Sequence, residues 1–278
     1  MRRMDNKLGC ATLCRPAEPG AARVVGVAAQ KQALLDLREA GFDACEFSHF
    51  SHLSEAECRV VSAECRRLEI EAWSAHTWVQ LPGAGEDARA VQPALSSDVD
   101  RLRALGVGIV VIHPPAGLGG LLGGGANAEA SVLLARTLGP MAARAAPDIS
   151  IAIEVAWAPE RIRALKRAIA ATGIANIGLN IDTGHAHMGG QDAAAAIRAA
   201  GDALLTTHLQ DNHGEVDEHL PPGQGDIDWA DVMAALRDVE YEGVLMAELT
   251  DSPKYREVNV AADLAAAHEN MRRFAAIP

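Results

Sequence analysis

The chain has 278 residues, of which 49% are hydrophobic and only 4% aromatic, and its 25 basic and 37 acidic side chains give a net charge of −12. That length suits one large α/β barrel or two ordinary domains. The acidic balance opposes binding to the phosphates of nucleic acid and to an anionic membrane face. The five cysteines, Cys10, Cys14, Cys45, Cys58 and Cys65, are odd in number and form no C-x-x-C pair, which reads as reduced thiols in a cytoplasmic protein. The N-terminal MRRMDNKLGCATLC has no apolar run of signal length, and no run elsewhere is of membrane-spanning length.

A short apolar run followed by an alanine-rich helix repeats along the chain. Lys7–Leu13 reads as a strand and Lys31–Ala40 as a helix ended by Gly41. Phe42–Phe47 is the second strand. Ser54 then caps a helix running to about Leu68, with Glu57 at the capping-box position. Ile70–Ala75 is the third strand, ending at His76, and Ser97–Leu105 is a helix stopped by Gly106. Gly108–Ile112 is an unbroken buried run ending at His113. The glycine-rich 117–125 lacks the Gly-Lys-Ser/Thr of a phosphate loop and reads as a mobile lid or disordered loop. Ala126–Ala146 is helical, with a kink or break at Gly139-Pro140.

Ile149–Ile153 is the fifth strand, ending at Glu154, and Pro159–Ala171 a helix with proline in its first turn. Asn176–Ile181 ends at Asp182, and Asp192–Ala200 is a helix. Ala203–Leu209 carries His208 near its end, Trp229–Val239 is a helix, Gly243–Ala247 ends at Glu248, and Glu257–Phe274 is the closing helix. Eight strand–helix pairs without a linker predict a single (β/α)8 barrel domain over 1–278. An open doubly wound sheet is the alternative, weakened by the absence of G-x-G-x-x-G after a strand.

His76, His113, Glu154, Asp182, His208 and Glu248 all stand at the C-terminal ends of predicted strands. In a (β/α)8 barrel those ends open on one face, where active sites are built. Imidazoles and carboxylates converging there are a ligand set for a divalent metal such as zinc, manganese, iron or cobalt. His185 follows Asp182 by three residues on a turn, so both can face the mouth, whereas His187 is expected to point elsewhere. Asp217 and His219, two apart, would face one way in an extended segment. His49 and His52 read as solvated loop residues. Glu46 either points into the mouth or pairs with a neighbour.

The segments VVIHP, IAIEV, GLNIDTGHAHMGG, THLQDNHGEVDEHLPPGQGDIDW and GVLMAEL resemble the sugar phosphate isomerase/epimerase group of xylose-isomerase-like TIM barrels, over nearly the whole chain. The resemblance implies that Glu154, Asp182, His208 and Glu248 are metal ligands, that His185 contacts substrate, and that Glu154 and Glu248 remove and return a proton on opposite faces of a sugar. The same fold houses apurinic-site endonucleases with three zinc ions. Their nine ligands are matched by His76, His113, Glu154, Asp182, His185, His208, Asp217, His219 and Glu248. The acidic charge, and the lack of basic loops with interleaved aromatics near the strand ends, favour the isomerase reading. Asp217 and His219 stand where the ketose epimerases would place a substrate-binding arginine, which leaves the substrate open. A metal-dependent lyase or dehydratase shares the enediolate step. A barrel that binds without turnover would not need every one of these ligands. The expected partner is a small carbohydrate, with no nucleic acid and no membrane, and self-association is allowed. Lys254 and Arg256, after the last strand, are candidates for phosphate recognition, with solvated charges the default.

Overall fold

A computed structural model describes residues 4–13, 25–124, 127–250 and 254–277. Its strands are β1 (Leu8–Ala11), β2 (Ala44–Phe47), β3 (Glu71–Thr77), β4 (Ile109–Ile112), β5 (Ser150–Val155), β6 (Ile177–Asp182), β7 (Leu204–His208) and β8 (Leu245–Ala247). All ladders are parallel, in the order β7-β6-β5-β4-β3-β2-β1-β8. A doubly wound sheet reverses its strand order partway, and this sheet never does. The last seam, between β7 and β8, is held by one parallel bridge, Leu209 to Ala247. There the Leu209 amide donates to the Met246 carbonyl at 2.8 Å, and the Glu248 amide donates to the Leu209 carbonyl at 3.1 Å.

The helices are α1 (Val27–Ala40), α2 (Glu55–Leu68), α3 (Gln92–Leu105), α4 (Leu118–Gly123), α5 (Asn127–Ala145), α6 (Pro159–Thr172), α7 (Thr183–Met188), α8 (Ala193–Ala200), α9 (Trp229–Asp238) and α10 (Val260–Ala275). Ser54 and Glu57 form the expected capping box of α2, each satisfying a backbone N–H that the helix leaves open. Two expectations need correction. Residues 118–123 form a helix, α4, rather than a loop, because Leu118 and Leu122, four apart, are both buried and seat one face of the turn; Gly125 lies outside the described residues. Pro140 does not break α5. It removes one backbone hydrogen bond, while Leu134, Leu138, Met141 and Ala142 bury the face that holds the helix in place.

Most of the apolar core lies between the strands and the surrounding helices. Two smaller clusters, Ala44, Val244 and Met246 on one side and Ile109, Val111 and Ala152 on the other, share Trp73. Ala152 and Glu154 are two apart on β5, so these side chains share the barrel's inner face. Trp73 plugs the interior below the polar mouth, and its indole N–H donates to Thr206 Oγ1 at 3.2 Å. The four described cysteines are buried free thiols; Cys14 lies outside the described residues. Among the described residues no helix is long and apolar enough to cross a membrane.

Candidate metal centre

Strand pleating aims the candidate ligands. Glu154 is in register with Asn180, and Asp182 with His208, and paired residues on neighbouring strands share a face. Because side chains alternate, Ala152 and Glu154, and Asn180 and Asp182, fall on the inner face in succession. His113 and Glu248 follow β4 and β8 directly. Asp182 also caps α7, accepting from the His185 amide at 2.6 Å, and this turn brings His185 back over the mouth.

His208 is at the centre. Its Nδ1 lies 3.0 Å from Glu154 Oε2, 3.3 Å from Glu248 Oε2 and 3.9 Å from Asp182 Oδ2. Despite those approaches, neither His208 Nδ1 nor Glu248 Oε2 makes a hydrogen bond, and both atoms are buried. Buried polar atoms ordinarily have a partner. Two orphans inside a ring of carboxylate oxygens and imidazole nitrogen fit a divalent cation.

Two further groups flank this one. His76 Nε2 lies 3.2 Å and His113 Nε2 3.7 Å from opposite oxygens of Glu154. On the other side Asp217 Oδ2 lies 3.3 Å from His185 Nε2 and 3.0 Å from His219 Nε2. His185 Nδ1 reaches Glu154 Oε1 at 3.2 Å and links the groups. Each flanking set has ligand atoms close enough to share one ion. All nine residues of the resemblance therefore converge. Asp217 and His219 do not meet by strand alternation as expected. His219 adopts φ 47°, a left-handed turn, and the turn brings the two side chains together.

Electrostatics in the metal-free chain follow from this crowding. Burial opposes the charge of Glu154, but His208, His185 and His76 outweigh it and hold its carboxyl well below the usual range. Glu248 is lowered in the same way by His208 and His219 against its burial. Burial pushes Asp182 up to about 7, with Glu248 and Glu154 adding to the rise. Burial opposes protonation of His219, yet Asp217 and Glu248 raise it to about 9. The imidazolium protons stand in for positive charge that a metal would supply.

A profile of the family described as xylose isomerase-like TIM barrel matches residues 34–274. The chain belongs to this family. Its curated relatives are matched over less than a third of their own length. Among them, a D-psicose 3-epimerase of Enterocloster bolteae is 36% identical over 76 residues, 27% of this chain and 24% of that enzyme. A solved L-ribulose 3-epimerase superposes with a TM-score of 0.72 at 18% identity, over 97% of this chain and 94% of its own. The IOLI protein with a bound zinc atom does so with a TM-score of 0.72 at 17% identity, over 97% and 98%. At such identities the likeness is one of fold.

In this xylose isomerase-like barrel a shell of supports stands behind the ligands. Glu46 does what both of its expected roles describe: it is fully buried beside the mouth and pairs with neighbours, 2.9 Å from His208 Nε2 and accepting from Ser74 Oγ at 2.7 Å. Asn180 Nδ2 donates to Glu154 Oε2 at 3.4 Å, and Gln210 Nε2 lies 3.4 Å from Asp182 and 3.3 Å from Asp217. Asp211 staples the segment carrying Asp217 and His219. Its two oxygens accept from the amides of Asn212, Gly223 and Ile227 and from the Trp229 indole, at 2.7–3.2 Å. A Cβ on Gly225 would fall 2.4 Å from both Asp211 Oδ1 and the Asn212 carbonyl, so only glycine lets the backbone pass there.

Arg256 is no free phosphate ligand. It donates to the carbonyls of Glu218 and His219 at 3.1 and 3.2 Å and pairs with Asp263 at 2.8 Å, bracing the strained His219 turn against α10. Lys254 lies over the Tyr255 ring. His187 stays out of the centre and lines a small surface pocket beside Asp192, Asp228 and Asp231. Asn180 and Gln210 sit in NIDTGH and HLQDN two residues from Asp182 and His208, which is the signal by which alternation finds them, and Asp211 follows Gln210 directly. Nothing local in the sequence marks Arg256.

Proposed function

We propose that this chain is a divalent-metal-dependent isomerase or epimerase that moves a proton next to the carbonyl of a sugar or sugar derivative. The observation that carries the reading is the pair of carboxylates, Glu154 and Glu248, both approaching one buried imidazole nitrogen, at 3.0 and 3.3 Å. Glu154, Asp182, His208 and Glu248 would hold the ion. A bound cation supplies Lewis-acid stabilisation of charge developing on vicinal oxygens. One glutamate accepts the proton from carbon, leaving an enediolate, and the other delivers a proton to the opposite face or the neighbouring carbon. His113 and His185 are about one-third exposed at the rim and available to substrate hydroxyls. Trp78, half exposed, lies against His76 and His113 and offers an apolar plane for sugar C–H groups.

The relatives and neighbours that are sugar epimerases support this reading. The test is incubation of the metal-supplied protein with ketoses, sugar phosphates and keto-glycosides in deuterated water. A converted substrate should carry carbon-bound deuterium. A substrate turned over without any such label would remove proton transfer from the mechanism.

A second reading rests on the two flanking ligand groups, His76 with His113 and His185 with Asp217 and His219. Together with the central four they suit three ions and phosphodiester hydrolysis, as in apurinic-site endonucleases. Metal analysis separates the readings: three zinc ions per chain, with cleavage of a duplex bearing an abasic site, would move the assignment. The net charge of −12 weighs against a duplex substrate.

A further inference from the structure

We infer that Glu46 is a positioning residue, which holds the Nε2 proton of His208 and thereby turns the bare Nδ1 of that ring toward Glu154, Asp182 and Glu248. The inference rests on the ligand reading above and goes beyond it. Glu46 stands on β2, 162 residues before His208, and is fully buried. Its Oε1 is 2.9 Å from His208 Nε2, and its Oε2 accepts from Ser74 Oγ at 2.7 Å. A neutral imidazole has one donor and one acceptor nitrogen, and an ionised carboxylate only accepts. With an ion bound the ring is neutral, so Nε2 would be the donor and the lone pair would be left on Nδ1, the atom close to three carboxylate oxygens and hydrogen-bonded to none.

Ser74 completes the arrangement. Its proton is spent on the far oxygen of Glu46, which keeps the carboxylate from rotating away from the ring. Glu46 meets His208 through Nε2, whereas Glu154, Asp182 and Glu248 approach the ring at Nδ1, and both oxygens of Glu46 are used. It acts behind the imidazole rather than as a fifth ligand. Partners of this kind raise ligand basicity and fix the tautomer, and their loss weakens metal binding by about 10–100-fold.

The test uses the full chain, stripped of metal and titrated with zinc against a chromogenic chelator. Glu46→Gln should weaken zinc binding about 10–100-fold. In the zinc-loaded protein the downfield nitrogen-bound proton of His208, seen by 15N-edited NMR, should move upfield. Ser74→Ala should shift both readouts in the same direction by less. Thermal melts of the metal-free variants check folding, and if Glu46→Gln does not fold, Ser74→Ala decides through the same proton signal. His208→Ala separates the two layers of the argument. If it leaves zinc affinity unchanged, the ligand reading itself fails. If it lowers the affinity while Glu46→Gln and Ser74→Ala bind as the unaltered chain does, with the proton unmoved, the positioning role is overturned and the ligand set stands.

Discussion

Asp211→Asn tests whether one buried carboxylate organises the segment that carries Asp217 and His219. Asp211 is fully buried, and each of its oxygens accepts two hydrogen bonds. The isosteric amide keeps one oxygen and turns an NH2 group toward two donors, whichever way it flips. Leaving a buried donor unsatisfied costs about 1–3 kcal/mol. Two of them, the Gly223 amide and the Trp229 indole or the Asn212 and Ile227 amides, cost about 4 kcal/mol, a large fraction of a typical net stability of about 5–15 kcal/mol. For a chain of this size that corresponds to a fall in Tm of roughly 10 °C. Differential scanning calorimetry measures the fall, and hydrogen exchange mapped by mass spectrometry locates it. The amides of residues 212–227 should lose protection first. A Tm within about 2 °C of the unaltered chain, with unchanged exchange across 212–227, would refute the idea that Asp211 holds this segment.

Under the proposed mechanism Glu154→Gln and Glu248→Gln would each remove a ligand charge and a proton carrier. Both should lower kcat at least 10²- to 10⁴-fold in a coupled sugar assay, and near-normal turnover in either would remove its assigned role. Loading the metal-free chain near neutral pH should release protons. His219 keeps its proton up to about 9 and His185 up to about 12, whereas an ion takes the neutral imidazole. Affinity should therefore fall as pH falls, and calorimetry in two buffers of different ionisation enthalpy reads the protons; equal heats in both would count against these ligands. Trp78→Ala should raise KM with little change in kcat, because it removes binding surface and no proton carrier. A fall in kcat alone would place Trp78 elsewhere in the mechanism.

Much of the barrel was legible because buried parallel strands leave a strong mark. VVI and IAI are apolar on both faces, and each is punctuated by a polar residue that only the mouth can house. IAIEV and NIDTGH therefore disclosed both their strand and the placement of its last residues in the mouth. ACEF carries the same pattern, yet a single buried glutamate reads equally well as a ligand, a partner to one, or half of an ion pair. Register across the strands decides among these, and register is a property of the assembled sheet. Pro140 and residues 118–123 misled for the opposite reason. Their local preferences are against helix, and burial of Leu138, Met141, Leu118 and Leu122 overrode them. Arg256 acts through backbone carbonyls 37 and 38 residues away, and carbonyls carry no side-chain signature for a sequence to display.

The single bridge between β7 and β8 gives the barrel one seam with few hydrogen bonds. His208 ends the strand on one side of it, and Glu248 follows the strand on the other. An ion shared by those two side chains would clasp the seam, so that cofactor loading and closure of the cylinder become one event. The amides of Leu209 and Glu248 are the place to see it: their exchange should slow on metal addition far more than that of the β4–β5 ladder, which is already fully paired.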